Sequence, residues 1–298
     1  MDIKEREGVL LAVLCVFVHS ALPILGKYGV SLVHPLFFAA LTNLIAAASL
    51  ILIIILRKNS FLLLTDKKYF FPLLFIGFFG TTLANILFFY GVRITSGINS
   101  AILLQVEPIY ALLIGYLLLN EKITLRQIYS TLVIILGTSI VIYKGTLKLN
   151  WGDFLVLGTP LCFQIGHFFS KRLLNKNGIS PLFIAAGRTL YGGIFLLILN
   201  LFAGVNEFEQ LKELKILGVV AFYGIVVYAL TYYTFYEAIK RINLSKATAI
   251  ISAYPAVSII LAWFVLREIP DIYQMIGFVM ILLGIAYLSN IKSDFRKN

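Results

Sequence analysis

The sequence predicts an all-α integral membrane protein of ten transmembrane helices, arranged as two inverted five-helix repeats with both termini cytoplasmic. Three observations carry this expectation. Apolar residues make up 60% of the 298 positions and charged residues only 13%, and the mean hydropathy is +0.94, too little polar surface to coat a soluble globule. Charge-free runs such as 69–92, 216–236 and 272–291 are long enough to cross about 30 Å of hydrocarbon. The chain also repeats itself: Pro108 falls on Pro255, Glu121 on Glu268, Gln127 on Gln274 and Gly137 on Gly284, all at an offset of 147.

Helices are expected near 8–30, 35–56, 70–92, 97–118, 124–143, 152–171, 181–202, 214–239, 247–266 and 271–291, which divides the chain into repeats 1–147 and 148–298. An odd number of helices per repeat inverts the second copy. Lys and Arg accumulate on one side, seventeen against seven with Arg188 inside a helix, and positive residues mark the cytoplasm. The net charge of +11 is thus largely a topology signal, and with no basic soluble domain a nucleic-acid partner is excluded. The first span is too long for a signal-peptide core and is expected to remain. Cys15 and Cys162 lie inside helices, so neither a disulfide nor a metal site is predicted, and no cofactor is called for. HExxH, GxSxG and Walker-type patterns are missing, which removes the usual grounds for an intramembrane enzyme or an ATP-driven pump.

On helix 1, His19, Pro23 and Lys27 share a face, as do Pro160, Gln164, His167 and Lys171 on helix 6. Each histidine is a candidate for solute or proton contact or a satisfied interhelical donor, and the two lysines can snorkel to the interface. Helix 3 carries Asn85. Helix 4 holds Gln105, Glu107 and Pro108. A carboxylate in its middle costs about 2.5 to 3.5 kcal/mol on insertion scales, so Glu107 should face a wet cavity or a partner, which suits proton coupling or an amine. Pro108 and Pro255 remove a mid-helix hydrogen bond and free carbonyls near Gln105 and Ser252, making them hinges or simple kinks. Tyr254 stands where Glu107 stands in the first repeat. Arg188 on helix 7 either snorkels toward the cytoplasm or offers its fork to a carboxylate or phosphate. Glu237 reads as interfacial, and Glu121 and Glu268 as acids favouring the dipole of the helix that follows each. Helix 8 is dense in tyrosines, of which Tyr228 and Tyr232 lie deep enough to wall a cavity opposite Asn85.

The paired segments Pro108 to Glu121 and Pro255 to Glu268, each followed by a glycine, resemble the drug/metabolite transporter superfamily of the EamA type. The resemblance implies a secondary carrier, commonly an exporter of amino acids or other small metabolites, with a cavity between helices 1–4 and 6–9. Helices 5 and 10 would be peripheral packing or homodimer elements. The expected function is proton- or gradient-driven export of a small organic solute across the plasma membrane by alternating access. A nucleotide-sugar or phosphorylated-metabolite exchanger is the alternative within transport, and a passive channel or lipid scramblase the alternative of another class.

Overall fold

The computed structural model describes residues 3–58, 61–119, 124–143, 150–177, 179–242, 247, 250–251 and 253–289. Every regular element among them is helical. Six helical rods are long and apolar enough to cross a membrane: Lys4–Leu32, Pro35–Leu56, Lys67–Ile94, Gly97–Leu118, Pro181–Phe202 and Leu214–Arg241. Shorter apolar helices cover Gln127–Tyr143, Tyr254–Leu266 and Ile272–Tyr287. Large apolar side chains such as Phe17, Leu56, Leu132, Phe202 and Leu283 point outward, as a hydrocarbon solvent allows.

Helices α1 (Ile3–His19) and α2 (Ala21–Leu32) form one rod interrupted at Ser20. Pro23 explains the break, because it has no N–H to offer the carbonyl four residues back. Next, α3 (Pro35–Leu56) starts with proline in its first turn and His34 as N-cap, whose Nδ1 accepts from Leu36 N at 3.3 Å. The third rod is α4 (Lys67–Gly77), a π-helical segment Phe78–Leu83, and α5 (Ala84–Ile94). The fourth is α6 (Gly97–Leu103), a 3-10 turn Leu104–Val106, and α7 (Glu107–Leu119). Then come α8 (Leu125–Tyr143), α9 (Trp151–Asn177) and α10 (Pro181–Phe202). A rod of α11 (Leu214–Phe222), a second π segment Tyr223–Leu230 and α12 (Thr231–Arg241) follows, then α13 (Tyr254–Leu266) and α14 (Ile272–Ser289).

The repeated glutamines have a physical reason. Gln127 N donates to Thr124 Oγ1 at 3.3 Å while Thr124 N donates to Gln127 Oε1 at 2.7 Å, and Gln274 and Asp271 exchange the same two bonds at 2.8 Å each. Both are capping boxes, which start α8 and α14.

The most extensive helix contacts are α3 with α10, α8 with α14, α5 with α9 and α1 with α12, so the two sequence halves interleave. Glycines set the closest approaches. A Cβ on Gly166 would lie 2.7 Å from Gly80 Cα, and one on Gly277 would lie 2.6 Å from the Gly137 carbonyl. The small-residue faces of α8 and α14 are therefore turned toward each other inside the chain. One end of the bundle, here the proximal end, carries Ile3, Arg57, Lys67 and Arg241; the distal end carries Lys27, Arg93, Asp153 and Glu268.

Two expectations about acids and prolines change. Pro108 and Pro255 do not kink continuous helices: each is the second residue of a new one, α7 and α13, and the interruption lies before it, where a proline N–H would be orphaned anyway. Glu268 does not serve the helix that follows it. Its two carboxylate oxygens accept from Gly97 N and Ile98 N, both at 3.0 Å, capping the start of α6 from the other half of the sequence. Glu121 lies outside the described residues.

Candidate functional site

Helices α1, α2, α7, α9, α10 and α12 line a cavity of about 50 Å³. Its wall has a polar part, His19, Glu107, His167 and Arg188, and an aromatic and apolar part that includes Leu22, Phe163, Tyr232 and Phe235. At about 1.5 Å of rise per residue, Arg188 sits about 10 Å from the proximal start of α10 and Phe235 about 9 Å from the proximal end of α12. The cavity thus occupies the middle and the proximal half of the bundle.

Arg188 is 0% exposed, so it does not snorkel. Its cradle is built by the first π segment. Nη2 donates to the Gly80 carbonyl and Nε to Thr81 Oγ1 at 3.2 Å. A glycine at 80 is needed because this turn rests directly on Gly166. Nη1 donates to Tyr236 Oη at 3.0 Å and contacts His167 Nδ1 at 3.4 Å. Tyr236 lies 3.2 Å from Ser170 Oγ, which itself donates to the Gly166 carbonyl at 2.7 Å, so the tyrosine proton points to Ser170. Above the guanidinium lies the Tyr232 ring, 4.4 Å to its centroid, with Phe163 at 5.7 Å. The buried charge is therefore held by neutral oxygens and ring faces. Glu237, at the proximal end of α12, pairs with Arg241 and not with Arg188.

Because guanidinium has no acceptor, His167 must present an unprotonated Nδ1 to it, which places the ring proton on Nε2 and leaves the ring neutral. Glu107 opens α7 after the 3-10 turn, and its Oε1 accepts from Gln164 Nε2 at 2.5 Å. Among the described residues, Glu107 and Arg188 line the same cavity without an ion pair between them. Among the described residues, two further polar atoms of this wall, His19 Nδ1 and Thr231 Oγ1, are buried without a hydrogen-bond partner.

Of the sequence candidates, His19, Glu107, His167, Arg188 and Tyr232 come together at the cavity. Gln164 supports Glu107 from behind. Asn85 and Tyr228 do not wall the cavity: they are 0% and 1% exposed, and Tyr228 donates to Asn85 Oδ1 in the packed interior between α5 and the second π segment. Gln105 is buried in the 3-10 turn. Tyr254 is buried with its ring edge-on to His19 at 4.6 Å and its hydroxyl 3.5 Å from the Ala101 carbonyl. Ser252 lies outside the described residues. Gly80, Thr81, Phe163, Thr231 and Phe235 complete the site and were not singled out from the sequence. Phe163 shares a helical stripe with His167, and Thr231 precedes Phe235 by one turn, which are the only signals the sequence offered.

A bundle of long apolar rods around one buried, charged cavity defines a multi-pass membrane protein. The pattern of the EamA-like transporter family matches residues 6–143 and again 150–290, and the chain belongs to that family. It is 27% identical over 222 residues to the uncharacterized transporter YyaM of Bacillus subtilis, covering 72% of this chain and 71% of that one. An uncharacterized transporter of Methanothermobacter thermautotrophicus is 29% identical over 222 residues, with 72% and 63% covered. A protein of Streptantibioticus cattleyicolor named a probable terminal-alkyne amino-acid exporter is 24% identical over 199 residues, with 66% and 65% covered. A solved crystal structure shares the fold at a TM-score of 0.69 and 18% identity, covering 95% of this chain and 96% of that one.

Proposed function

We propose that this transporter is a secondary carrier that exports an amino acid or a closely related zwitterion across the plasma membrane by alternating access. The observation that carries the reading is the separation of charge in the cavity. Glu107 and Arg188 face one space, each held by neutral groups, so a solute bearing an amine and a carboxylate satisfies both, and a solute of net zero charge leaves the site neutral. The aromatic and apolar wall of Phe163, Phe235 and Leu22 suits the remainder of such a solute. The exporter name carried by the Streptantibioticus relative agrees with this class.

A phosphorylated solute fits less well. Four contacts to protein atoms occupy four of the five N–H groups of Arg188, which leaves a single Nη2 proton and no bidentate fork for a phosphate. Glu107 is the group we assign to proton exchange, because Arg188 holds His167 as a neutral acceptor. The ten-span arrangement as inverted repeats 1–147 and 148–298, with both termini cytoplasmic, belongs to the same reading; two successive matches to one family pattern and two discontinuous helices with prolines at positions 108 and 255 support it.

Counterflow of a pool of labelled amino acids into proteoliposomes, with and without an imposed pH gradient, tests the proposal in the native chain and in Glu107→Gln. Saturable exchange that answers to the gradient only in the native chain is expected. Exchange confined to phosphorylated solutes, or an unsaturable leak in both proteins, would refute it.

A further inference from the structure

The distal end of the bundle holds a polar cluster that no step of binding uses. Asp153, on the first turn of α9, is 1% exposed and accepts from Thr95 Oγ1 and from Asn99 Nδ2, the latter at 3.0 Å. Asn99 is 0% exposed, and its Oδ1 accepts from Gln274 Nε2 of α14 at 2.7 Å. One turn away Glu268 accepts from Gly97 N and Ile98 N. Thr95, Gly97 and Asn99 belong to the first half of the sequence, and Asp153, Glu268 and Gln274 to the second. The cluster is therefore a tie between halves, made at the tips of α6, α9 and α14, with two carboxylates bound to neutral donors and to main-chain N–H groups.

A buried carboxylate is a costly way to hold helices together where apolar packing would serve. Its hydrogen bonds, however, are exchanged for hydrogen bonds to water on opening, so only part of their strength opposes the opening of such a contact. Position agrees with that use: the cavity lies in the middle and proximal half of the bundle, and the cluster joins the two halves at the distal end. The proximal end is joined across halves by the exposed pair Arg241 with Glu7.

We infer that the cluster of Thr95, Asn99, Asp153, Glu268 and Gln274 is the distal gate of the carrier, closed in this structure and broken when the cavity turns to the distal side. The inference rests on the alternating-access reading. Breaking the cluster shifts the protein toward the distal-open state. Asp153→Asn keeps the shape and removes the charged acceptor; Thr95→Val removes a donor and is the milder change.

The test is a pair of distance measurements by pulsed electron resonance on the full chain in proteoliposomes without solute, in a background where Cys15 and Cys162 are alanine. Labels at Arg93 and Ile269 report the distal end, and labels at Lys58 and Lys240 the proximal end. Asp153→Asn is expected to raise the ratio of long to short distal distances about tenfold, as the loss of one buried charged hydrogen bond allows, with Thr95→Val a few-fold and the proximal pair moving in the opposite sense. Unchanged distal distances in both distal variants, with two distance populations still present at the proximal pair, overturn the gate and leave the carrier standing. A single distance population in every variant overturns the alternating-access reading and the gate with it.

Discussion

Two corners of the bundle occupy matching places in the sequence repeat and have opposite chemistry. In one, Arg188 of α10 reaches the Gly80 carbonyl of the first π segment, with Glu107, Gln164 and His167 beside it. In the other, Thr42 stands for Arg188, Tyr254 for Glu107 and Ser20 for Gln164, against the second π segment. Thr42 is satisfied within its own helix, its Oγ1 donating to the Phe38 carbonyl at 2.7 Å, and its backbone rests on Gly224, where a Cβ would come within 2.7 Å of the Thr42 carbonyl. The Ser20 carbonyl accepts from Ser258 Oγ at 2.7 Å. The glycine contact, the widened helix and the interrupted helix occur in both corners, and the buried pair Arg188 and Glu107 is in one. The duplicated frame supplies the helix breaks, while departures from the repeat supply the recognition chemistry.

The largest effect should come from removing that departure. Arg188→Met leaves the Gly80 carbonyl and the Tyr236 hydroxyl without their donor, at about 1 to 3 kcal/mol for each buried group left unpaired. Counterflow should vanish and the melting temperature in detergent should drop sharply; retained exchange would erase the contrast between the corners. Gln164→Leu keeps the volume near Glu107 but removes its donor, so the apparent affinity for solute should weaken about tenfold with little loss of fold, read as KM in counterflow. Its counterpart Ser20→Ala should leave KM unchanged, because it is the Ser20 main-chain carbonyl that takes the contact from α13. Thr42→Val should alter both transport and melting by less than about twofold and 1 kcal/mol, since only local bonds within α3 are lost.

The smallest effect lies at the distal loops. His34 caps α3 through Nδ1, and burial, reinforced by the Arg93 charge and opposed by Glu207, pulls its titration below the ordinary histidine value of 6.5. The folded state then binds fewer protons than the unfolded one, so the stability it contributes is full at neutral pH and is lost as pH falls through 6.5. Melting at pH 5.5 should be slightly below melting at pH 7.5, and His34→Asn, which keeps a cap, should flatten that difference.

Much of the architecture was legible because hydropathy and start signals are local. The expected start of the second helix at residue 35 and of the seventh at 181 coincide with the first residues of α3 and α10, where Pro35 and Pro181 fix the first turn. The two π segments were not legible, since Phe78–Leu83 and Tyr223–Leu230 have no composition that separates a π turn from an α turn. The depth of Arg188 could be counted along its helix, but its direction depended on a carbonyl freed in another rod. The depth of Asn85 and Tyr228 follows from the sequence but their direction does not, because each finds the other and not the cavity. The role of Glu268 is hidden from the sequence because its partners, Gly97 and Ile98, are remote along the chain.

On the proposed function, Glu107 and Arg188 read the two charges of one zwitterion. The direct measurement is competition against counterflow of the amino acid that exchanges most strongly, using three competitors: the same amino acid, its methyl ester and its N-acetyl form. In the native chain only the free amino acid should compete, with the two blocked forms weaker by at least about tenfold, the scale of one lost charged hydrogen bond. In Glu107→Gln the N-acetyl form alone should gain. Equal competition by all three in the native chain would contradict the account.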